Sequence, residues 1–72
     1  MSFGYLIMFV FYLAIVRFIG KTAFAEGIWI GIEFVSRPLG KNDGSVNGYV
    51  YFQSKQNHGL FIRPNRLTLT KK

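Results

Sequence analysis

The heptapeptide GKNDGSV, residues 40–46, is the segment that most strongly indicates the fold of this chain. Gly40 and Gly44 enclose three polar residues, and glycine permits both a tight turn and the close approach of another backbone. Lys41 supplies a positive charge with three N–H donors, and Asn42 supplies two donors and a carbonyl acceptor. Such a loop can hold a carboxylate, including the terminal carboxylate of a bound peptide.

On both sides of this loop, short apolar segments alternate with turn residues. Five segments are rich in Val, Ile, Phe or Leu, which predicts extended structure: VRFI (16–19), IWIGIEF (28–34), YVYF (49–52), GLFI (59–62) and RLTL (66–69). Glycines lie between or beside them, and no stretch after residue 16 shows helical periodicity. The pattern predicts an all-β domain. At this length we expect a small SH3-like barrel, because closure removes exposed sheet edges.

Composition limits the chain to one domain and leaves the class of partner open. Seventy-two residues allow a single domain, and a hydrophobic content of 50% argues against a disordered tail. No cysteine is present, so the chain can form neither a disulfide nor a thiolate metal site. All charged residues lie between Arg17 and Lys72, and they sum to +6. This charge attracts polyanions, which could be nucleic acid, an anionic membrane or an acidic peptide.

The apolar run FGYLIMFVFYLAIV, residues 3–16, has three interpretations. A transmembrane helix needs about 20 apolar residues, and Arg17 interrupts this run earlier, although snorkelling could extend it through Ile19. A signal peptide would need a basic start and a small-residue cleavage site, which this run lacks. The third interpretation, a strand or a partly disordered leader, is the one we favour.

Five segments, in the same order and spacing, resemble the CAP-Gly family, the glycine-rich domains of cytoskeleton-associated proteins. The segments that carry the resemblance are VRFIG (16–20), FAEGIWIGIE (24–33, similar to FAxGxWxGxE), GKNDGSV (40–46), YF (51–52) and HGLFIRP (58–64, similar to HGxFxRP). The resemblance covers about residues 16–67. It implies an apolar leader at residues 1–15 and a CAP-Gly-like domain at residues 16–70.

The start of the chain departs from this family, because the apolar run replaces its usual glycine- and charge-containing first strand. The first strand is therefore expected to be atypical. Either the run substitutes for it, or a truncated domain follows an unrelated leader. A missing strand would leave unpaired backbone groups at the sheet edge.

The resemblance also implies a ligand. CAP-Gly domains bind chains that end in an acidic run followed by Tyr or Phe, of the EEY or EEF type. By resemblance, Phe24, Trp29 and Phe61 would line a hydrophobic groove. Lys41 and Asn42 would contact the terminal carboxylate. Arg63 would face the acidic side chains. Gly40, Asp43 and Gly44 would shape the loop. The implied partners are the tails of tubulin, end-binding proteins or related plus-end adaptors, in the cytoplasm at microtubules, with no cofactor.

Simpler roles are open for several of these residues. Trp29 lies in an apolar strand pattern, where a core tryptophan would look the same. Asp43 is expected to shape its own turn through an Asx hydrogen bond. His58 is expected to be a loop or strand-edge residue. Tyr51 and Phe52 are expected to pack in the core or on the sheet.

Three other classes of function are alternatives to a peptide-binding module. An enzyme needs paired catalytic groups, and this chain has one histidine and three acidic residues scattered at positions 26, 33 and 43. The same residues give no metal-ligand cluster. A basic β-barrel that binds single-stranded nucleic acid is the main alternative, although the basic residues are dispersed. A membrane-anchored peptide, with residues 3–19 as the anchor, is the third.

Overall fold

The computed structural model describes residues 5–66 and 68–69, which form a small domain made almost entirely of β-strands. The strands are β1 (Leu6–Phe9), β2 (Tyr12–Lys21), β3 (Ile28–Phe34), β4 (Ser45–Val46), β5 (Tyr49–Val50), β6 (Gly59–Ile62) and β7 (Thr68–Leu69), with a 3-10 turn at Pro64–Arg66. The predicted all-β class is confirmed. In this part of the chain, no helix has the length and apolar character needed to cross a membrane.

The strands form two antiparallel sheets. The larger has the order β6-β3-β2-β1-β7, and the smaller is the hairpin β4-β5. A bulge between Val16 and Phe18 interrupts the β2–β3 register, and such irregularities bend a strand and increase its twist. Among the described residues, β6 and β7 remain at the two ends of the order. The strand order is consistent with the expected small SH3-like β architecture. The strand pairs of the described residues do not, however, close the sheet into a complete barrel.

The apolar run at the start of the chain forms a hairpin instead of a helix. Strand β1 pairs with β2 from Leu6↔Ile15 to Phe9↔Tyr12, and its other edge pairs with β7. Residues 6–9 therefore serve as a first strand, which is one of the two alternatives that the sequence left open. Strand β2 begins at Tyr12, so it crosses the boundary predicted between residues 15 and 16. Residues 1–4 of the predicted leader lie outside the described residues.

A single hydrophobic core joins the strands of the larger sheet. Its buried side chains come from β1, β2, β3 and β6, and they are Ile7, Phe9, Ala14, Val16, Ile30, Ile32, Phe34 and Ile62. Alternate residues of a strand point to the same face, which explains the spacing of these positions. Each fully buried Ile or Phe contributes about 1.5–3 kcal/mol from the hydrophobic effect. The core therefore depends on the apolar run, since β1 contributes two of its large side chains.

His58 fastens the turn before β6 to the end of β3. Its side chain is buried, and its Nδ1 lies 2.7 Å from the carbonyl oxygen of Phe34, to which it donates a hydrogen bond. The backbone N–H of Phe34 in turn donates to the carbonyl of His58. His58 lies in a turn, as the sequence predicts, but it is also part of the buried structure.

Glu33 makes the stability of the domain depend on pH. Burial raises the pKa of Glu33, but hydrogen bonds from the Lys55 backbone and from Arg17 outweigh burial and leave this pKa below its ordinary value. Their donors lie 3.1 and 3.0 Å from the carboxylate. Since a lowered native pKa stabilises the fold only while the carboxylate is ionised, this stabilisation is complete above about pH 5 and is lost on acidification.

We therefore expect the free energy of unfolding to fall as the pH drops from about 5 to about 3. Urea denaturation at a series of pH values measures this slope. The Glu33→Gln variant is expected to have a shallower slope but not a flat one, because the pKa of Asp43 is also lowered. An unchanged slope in that variant would show that Glu33 contributes nothing to the pH dependence.

Candidate functional site

Six aromatic side chains meet on one side of the domain and form what we call the aromatic cluster. Its members come from β2, the loop after β2, β3, β6 and the segment after β5, and they are Phe18, Phe24, Trp29, Tyr51, Phe52 and Phe61. Each ring centroid lies within 5.4 Å of another, mostly in tilted or edge-to-face arrangements. Such geometries are the favourable ones for aromatic pairs.

The three residues predicted to line a groove lie together in this cluster. Phe24 is the central ring, with its centroid 5.3 Å from that of Trp29 and 5.1 Å from that of Phe61. All three side chains are half-buried and none belongs to the hydrophobic core. Trp29 therefore lies at the surface of the domain, so the core position that its strand pattern allowed is not the one it occupies. Together the rings form an apolar surface that solvent still reaches.

Tyr51 also belongs to the aromatic cluster, which the sequence did not predict. It was assigned to packing, yet its ring contacts Phe24 and Phe61, with centroids 5.8 and 5.4 Å away. Its hydroxyl accepts a hydrogen bond of 2.9 Å from the backbone N–H of Ala23. Tyr51 therefore helps to hold the loop that carries Phe24. Phe52 does pack as expected, since it is buried and its ring contacts that of Phe61.

Arg63 covers the face of Trp29. Its guanidinium carbon lies 3.8 Å from the centre of the indole ring, which is the geometry of a cation–π interaction. Its Nη1 also donates to the carbonyl oxygen of Glu26 at 2.8 Å and to that of Ile28 at 3.4 Å. The Nη1 group of Arg63 is therefore already hydrogen-bonded within the domain, beside the aromatic cluster. The indole Nε1 of Trp29 is buried and has no hydrogen-bond partner in the part of the chain that the structure describes.

The GKNDG loop (residues 40–44) is fastened to the start of β6. The backbones of Asn42 and Gly59 exchange two hydrogen bonds, of 2.8 and 3.1 Å, and the N–H of Lys41 also donates to the carbonyl of Gly59. Gly40 lies so close to Gly59 that a side chain there would collide with its backbone. The loop is therefore held by backbone contacts, which fix the positions of Lys41 and Asn42.

The loop leaves its strongest hydrogen-bond donors available. The Oδ1 of Asn42 accepts from the backbone N–H of Gly44 at 2.8 Å, so its amide N–H groups remain for another partner. Lys41 is exposed and forms no ion pair with any described residue. The side chain of Asp43 accepts from the hydroxyl and the backbone N–H of Ser45, which lowers the pKa of Asp43. This is the predicted Asx turn, so the carboxylate of Asp43 is already hydrogen-bonded within its own loop.

Gly44 joins the loop to the aromatic cluster. Its carbonyl oxygen accepts from the backbone N–H groups of Tyr51 and Phe52, at 2.9 and 3.3 Å. The GKNDG loop is thus anchored to β6 at Gly59 and to the segment that carries two rings of the cluster. The available donors and the half-buried rings are parts of one connected framework.

The described residues offer little for catalysis or metal binding. Glu33 is paired with Arg17, and His58 is buried against a backbone carbonyl. Within residues 5–66 and 68–69, no three His, Cys, Asp or Glu side chains are grouped as metal ligands would be. Among the described residues, the GKNDG loop offers Lys41 and the amide of Asn42 as donors that can bind a carboxylate.

Two solved structures have the same fold. The CAP-Gly domain of the human kinesin-like protein KIF13B aligns with a TM-score of 0.83 and 34% identity, over 100% of this chain and 72% of that chain. The Bik1 CAP-Gly domain, solved with an ETF peptide from Bim1, aligns with a TM-score of 0.79 and 29% identity. That alignment covers 89% of this chain and 78% of the Bik1 chain.

Sequence comparison agrees with the structural one. Tubulin-folding cofactor B of Bos taurus is 48% identical over 54 residues, which are 75% of this chain and 22% of cofactor B. The chain thus spans less than a quarter of the length of that relative. The family model of the CAP-Gly domain matches residues 10–67, a range that includes the aromatic cluster and the GKNDG loop. The chain belongs to the CAP-Gly domain family.

Proposed function

We propose that this chain is a non-enzymatic binding module that recognises acidic C-terminal tails ending in Tyr or Phe. One observation carries the proposal. Backbone hydrogen bonds connect the partly exposed aromatic cluster to the GKNDG loop, in which Lys41 and the amide of Asn42 have N–H donors available. A free carboxylate beside an aromatic side chain matches that combination. The structure of the Bik1 CAP-Gly domain with an ETF peptide from Bim1 supports peptide binding by this fold.

The terminal aromatic ring of the tail would lie against Phe24, Trp29 and Phe61. These rings already contact one another at 5.1–5.3 Å around Phe24. Each further aromatic pair contributes about 0.5–1.5 kcal/mol beyond the burial of apolar area. An aliphatic residue at the end of the tail would bury area but lose these pair contacts, so Tyr or Phe is preferred.

The carboxylate would bind at the GKNDG loop. Lys41 supplies the charge, and the amide of Asn42 supplies donors whose direction is fixed by its Oδ1 contact with Gly44. Hydrogen bonds between ionised partners are about twice as strong as neutral ones. Because the loop is already fastened to Gly59, little conformational entropy is lost when the carboxylate binds.

The net charge of +6 favours acidic partners and predicts sensitivity to salt. We infer that the partners are the tails of tubulin, of end-binding proteins or of related plus-end adaptors, and that the chain works in the cytoplasm at microtubules. Its relatives include a tubulin-folding cofactor and a kinesin-like protein, which supports a cytoskeletal setting.

Fluorescence anisotropy of three labelled peptides tests this function. One ends in Glu-Glu-Tyr, the second is the same peptide with an amidated C-terminus, and the third lacks the tyrosine. We expect saturable binding of the first alone, because binding needs both the carboxylate and the ring. Equal and weak binding of all three, abolished by salt, would contradict the proposal and favour a basic surface for nucleic acid.

Lys41→Ala is expected to weaken binding of the Glu-Glu-Tyr peptide by about 1–3 kcal/mol, the range for loss of a charge-assisted hydrogen bond. Asn42→Ala is expected to cost a similar amount. Lys55→Ala is the matched control, because it removes the same charge from another exposed lysine. Titration calorimetry that gave equal losses for Lys41→Ala and Lys55→Ala would show that only net charge matters.

A further inference from the structure

The turn between β1 and β2 is made of two apolar residues in an unfavourable conformation. Val10 and Phe11 join the hairpin directly after the last pair, Phe9↔Tyr12, and their φ angles are 53° and 70°. Two-residue turns with positive φ at both positions favour Asn-Gly, and a β-branched valine rarely adopts such an angle. The chain therefore places apolar side chains at the tip at some conformational cost.

These side chains project from the domain. Phe11 is 91% exposed and Val10 is 60% exposed. The neighbouring side chains of Tyr12, Leu13 and Leu39 are also exposed, and together with Phe11 they line one shallow depression. We call these five residues the tip patch. A contiguous exposed apolar patch marks an interaction surface, whereas isolated exposed apolar residues need no explanation.

Arg37 borders the tip patch, and Arg66 lies beside Phe9, the residue that precedes Val10 in the chain. The guanidinium carbon of Arg37 lies 5.9 Å from the ring centre of Tyr12, and that of Arg66 lies 5.7 Å from the ring centre of Phe9. Both side chains are exposed, and neither has an acidic partner among the residues described. The end of the hairpin thus combines projecting apolar groups with unpaired guanidinium groups, which match phosphate in charge and geometry.

We propose that the tip patch inserts into the headgroup region of an anionic lipid bilayer. Val10 and Phe11 enter the boundary of the acyl chains, and Arg37 and Arg66 contact lipid phosphates. Interfacial segments combine apolar and basic side chains in this way. Backbone groups at the end of the hairpin are paired across the two strands, so insertion there leaves few polar backbone groups without partners.

The positive charge near the tip patch favours an anionic bilayer over a second copy of the chain as the partner of this surface. Two copies meeting at this end would bring Arg37 and Arg66 of both together, each copy carrying a net charge of +6. An anionic bilayer meets the same groups with opposite charge. This site is separate from the aromatic cluster, so the inference does not depend on the proposed recognition of tails.

Co-sedimentation of the full chain with lipid vesicles tests the inference. The vesicles contain about three parts phosphatidylcholine to one part phosphatidylserine, and pure phosphatidylcholine is the comparison. The decisive variant is Val10→Asn/Phe11→Gly, which installs the preferred turn residues and removes both apolar side chains. We expect this variant to keep or raise the thermal unfolding temperature and to lose about tenfold or more in vesicle affinity.

The arginines are tested by Arg37→Gln and Arg66→Gln, each of which is expected to lower binding to the phosphatidylserine vesicles about fivefold. Binding of the Glu-Glu-Tyr peptide should not change in any of these variants. Vesicle affinity that is absent in the original chain, or unchanged in Val10→Asn/Phe11→Gly, would overturn the inference. Concentration-dependent self-association that this double variant abolishes, without vesicle binding, would replace the bilayer with a second copy of the chain.

Discussion

Gly44→Ala is expected to destabilise the domain by about 4 kcal/mol, which is at the upper end for a single substitution. Gly44 has a φ of +96°, and a Cβ there would collide with the backbone carbonyl of Phe52. A backbone atom cannot rotate away as a side chain can, so the loop and the segment after β5 would have to separate. Since small domains are stable by about 5–15 kcal/mol, this loss removes a large fraction of the total stability.

Gly48→Ala is the control for this substitution. Gly48 has a φ of +88°, close to that of Gly44, but a Cβ there would meet no atom within 4 Å. Its cost is therefore the backbone strain alone, about 1–2 kcal/mol. Urea denaturation of both variants, followed by the fluorescence of Trp29, measures the difference. Equal costs would show that the contact between Gly44 and Phe52 is unimportant for stability.

The regular strands could be predicted from the sequence because local pattern determines them. The predicted segments IWIGIEF and GLFI coincide with β3 (Ile28–Phe34) and β6 (Gly59–Ile62). Both are apolar and are flanked by turn residues, so competing structures have little local support. The Asx turn at Asp43 was predictable for the same reason, since its hydrogen bond reaches only two residues along the chain.

Long-range contacts were less accessible to sequence analysis. YVYF was predicted as one strand, but β5 ends at Val50, and the hydroxyl of Tyr51 instead contacts Ala23, 28 residues away. No local pattern encodes such a contact. RLTL was also predicted as a strand, yet Pro64–Arg66 forms a 3-10 turn and only Thr68–Leu69 is described as a strand. Residue 67 lies outside the described residues.

The apolar run shows why composition alone was ambiguous. A continuous apolar stretch has no alternation that would separate a strand from a helix. The structure resolves the choice because Ile7 and Phe9 are buried while Leu6 and Met8 are exposed. That alternation is created by the neighbouring strands, which cover one face of β1. The exposed face and tip are equally apolar, so the sequence could not indicate which residues would be inside.

Arg63→Ala is expected to lower affinity for the Glu-Glu-Tyr peptide by about 2 kcal/mol, or roughly 30-fold. Arg63 covers Trp29 at 3.8 Å and holds the carbonyl of Glu26, so it fixes the loop that carries Phe24. Arg63→Lys keeps the charge but loses the planar stacking and the forked donors. We therefore expect Arg63→Lys to restore only a small part of the lost affinity.

Gly27→Ala tests the contact of Arg63 with Trp29 and Glu26 by displacing the guanidinium instead of removing it. Gly27 has a φ of +90°, and a Cβ there would lie 2.6 Å from the Nη1 of Arg63. The guanidinium would have to leave its position, so Gly27→Ala should reproduce much of the affinity loss of Arg63→Ala. Combining both substitutions should cost less than the sum, because they remove one interaction. Gly48→Ala controls for backbone strain and should leave peptide affinity unchanged.

The peptide itself distinguishes positioning by Arg63 from direct contact with acidic side chains. If Arg63 acts by holding Trp29 and the Glu26 carbonyl, the loss in Arg63→Ala is the same for peptides ending in Glu-Glu-Tyr and in Gln-Gln-Tyr. If Arg63 instead pairs with the glutamates, the loss largely disappears with the Gln-Gln-Tyr peptide. Because Nη1 is already hydrogen-bonded within the domain, we expect the first result from titration calorimetry, which would make Arg63 a positioning residue for the aromatic surface.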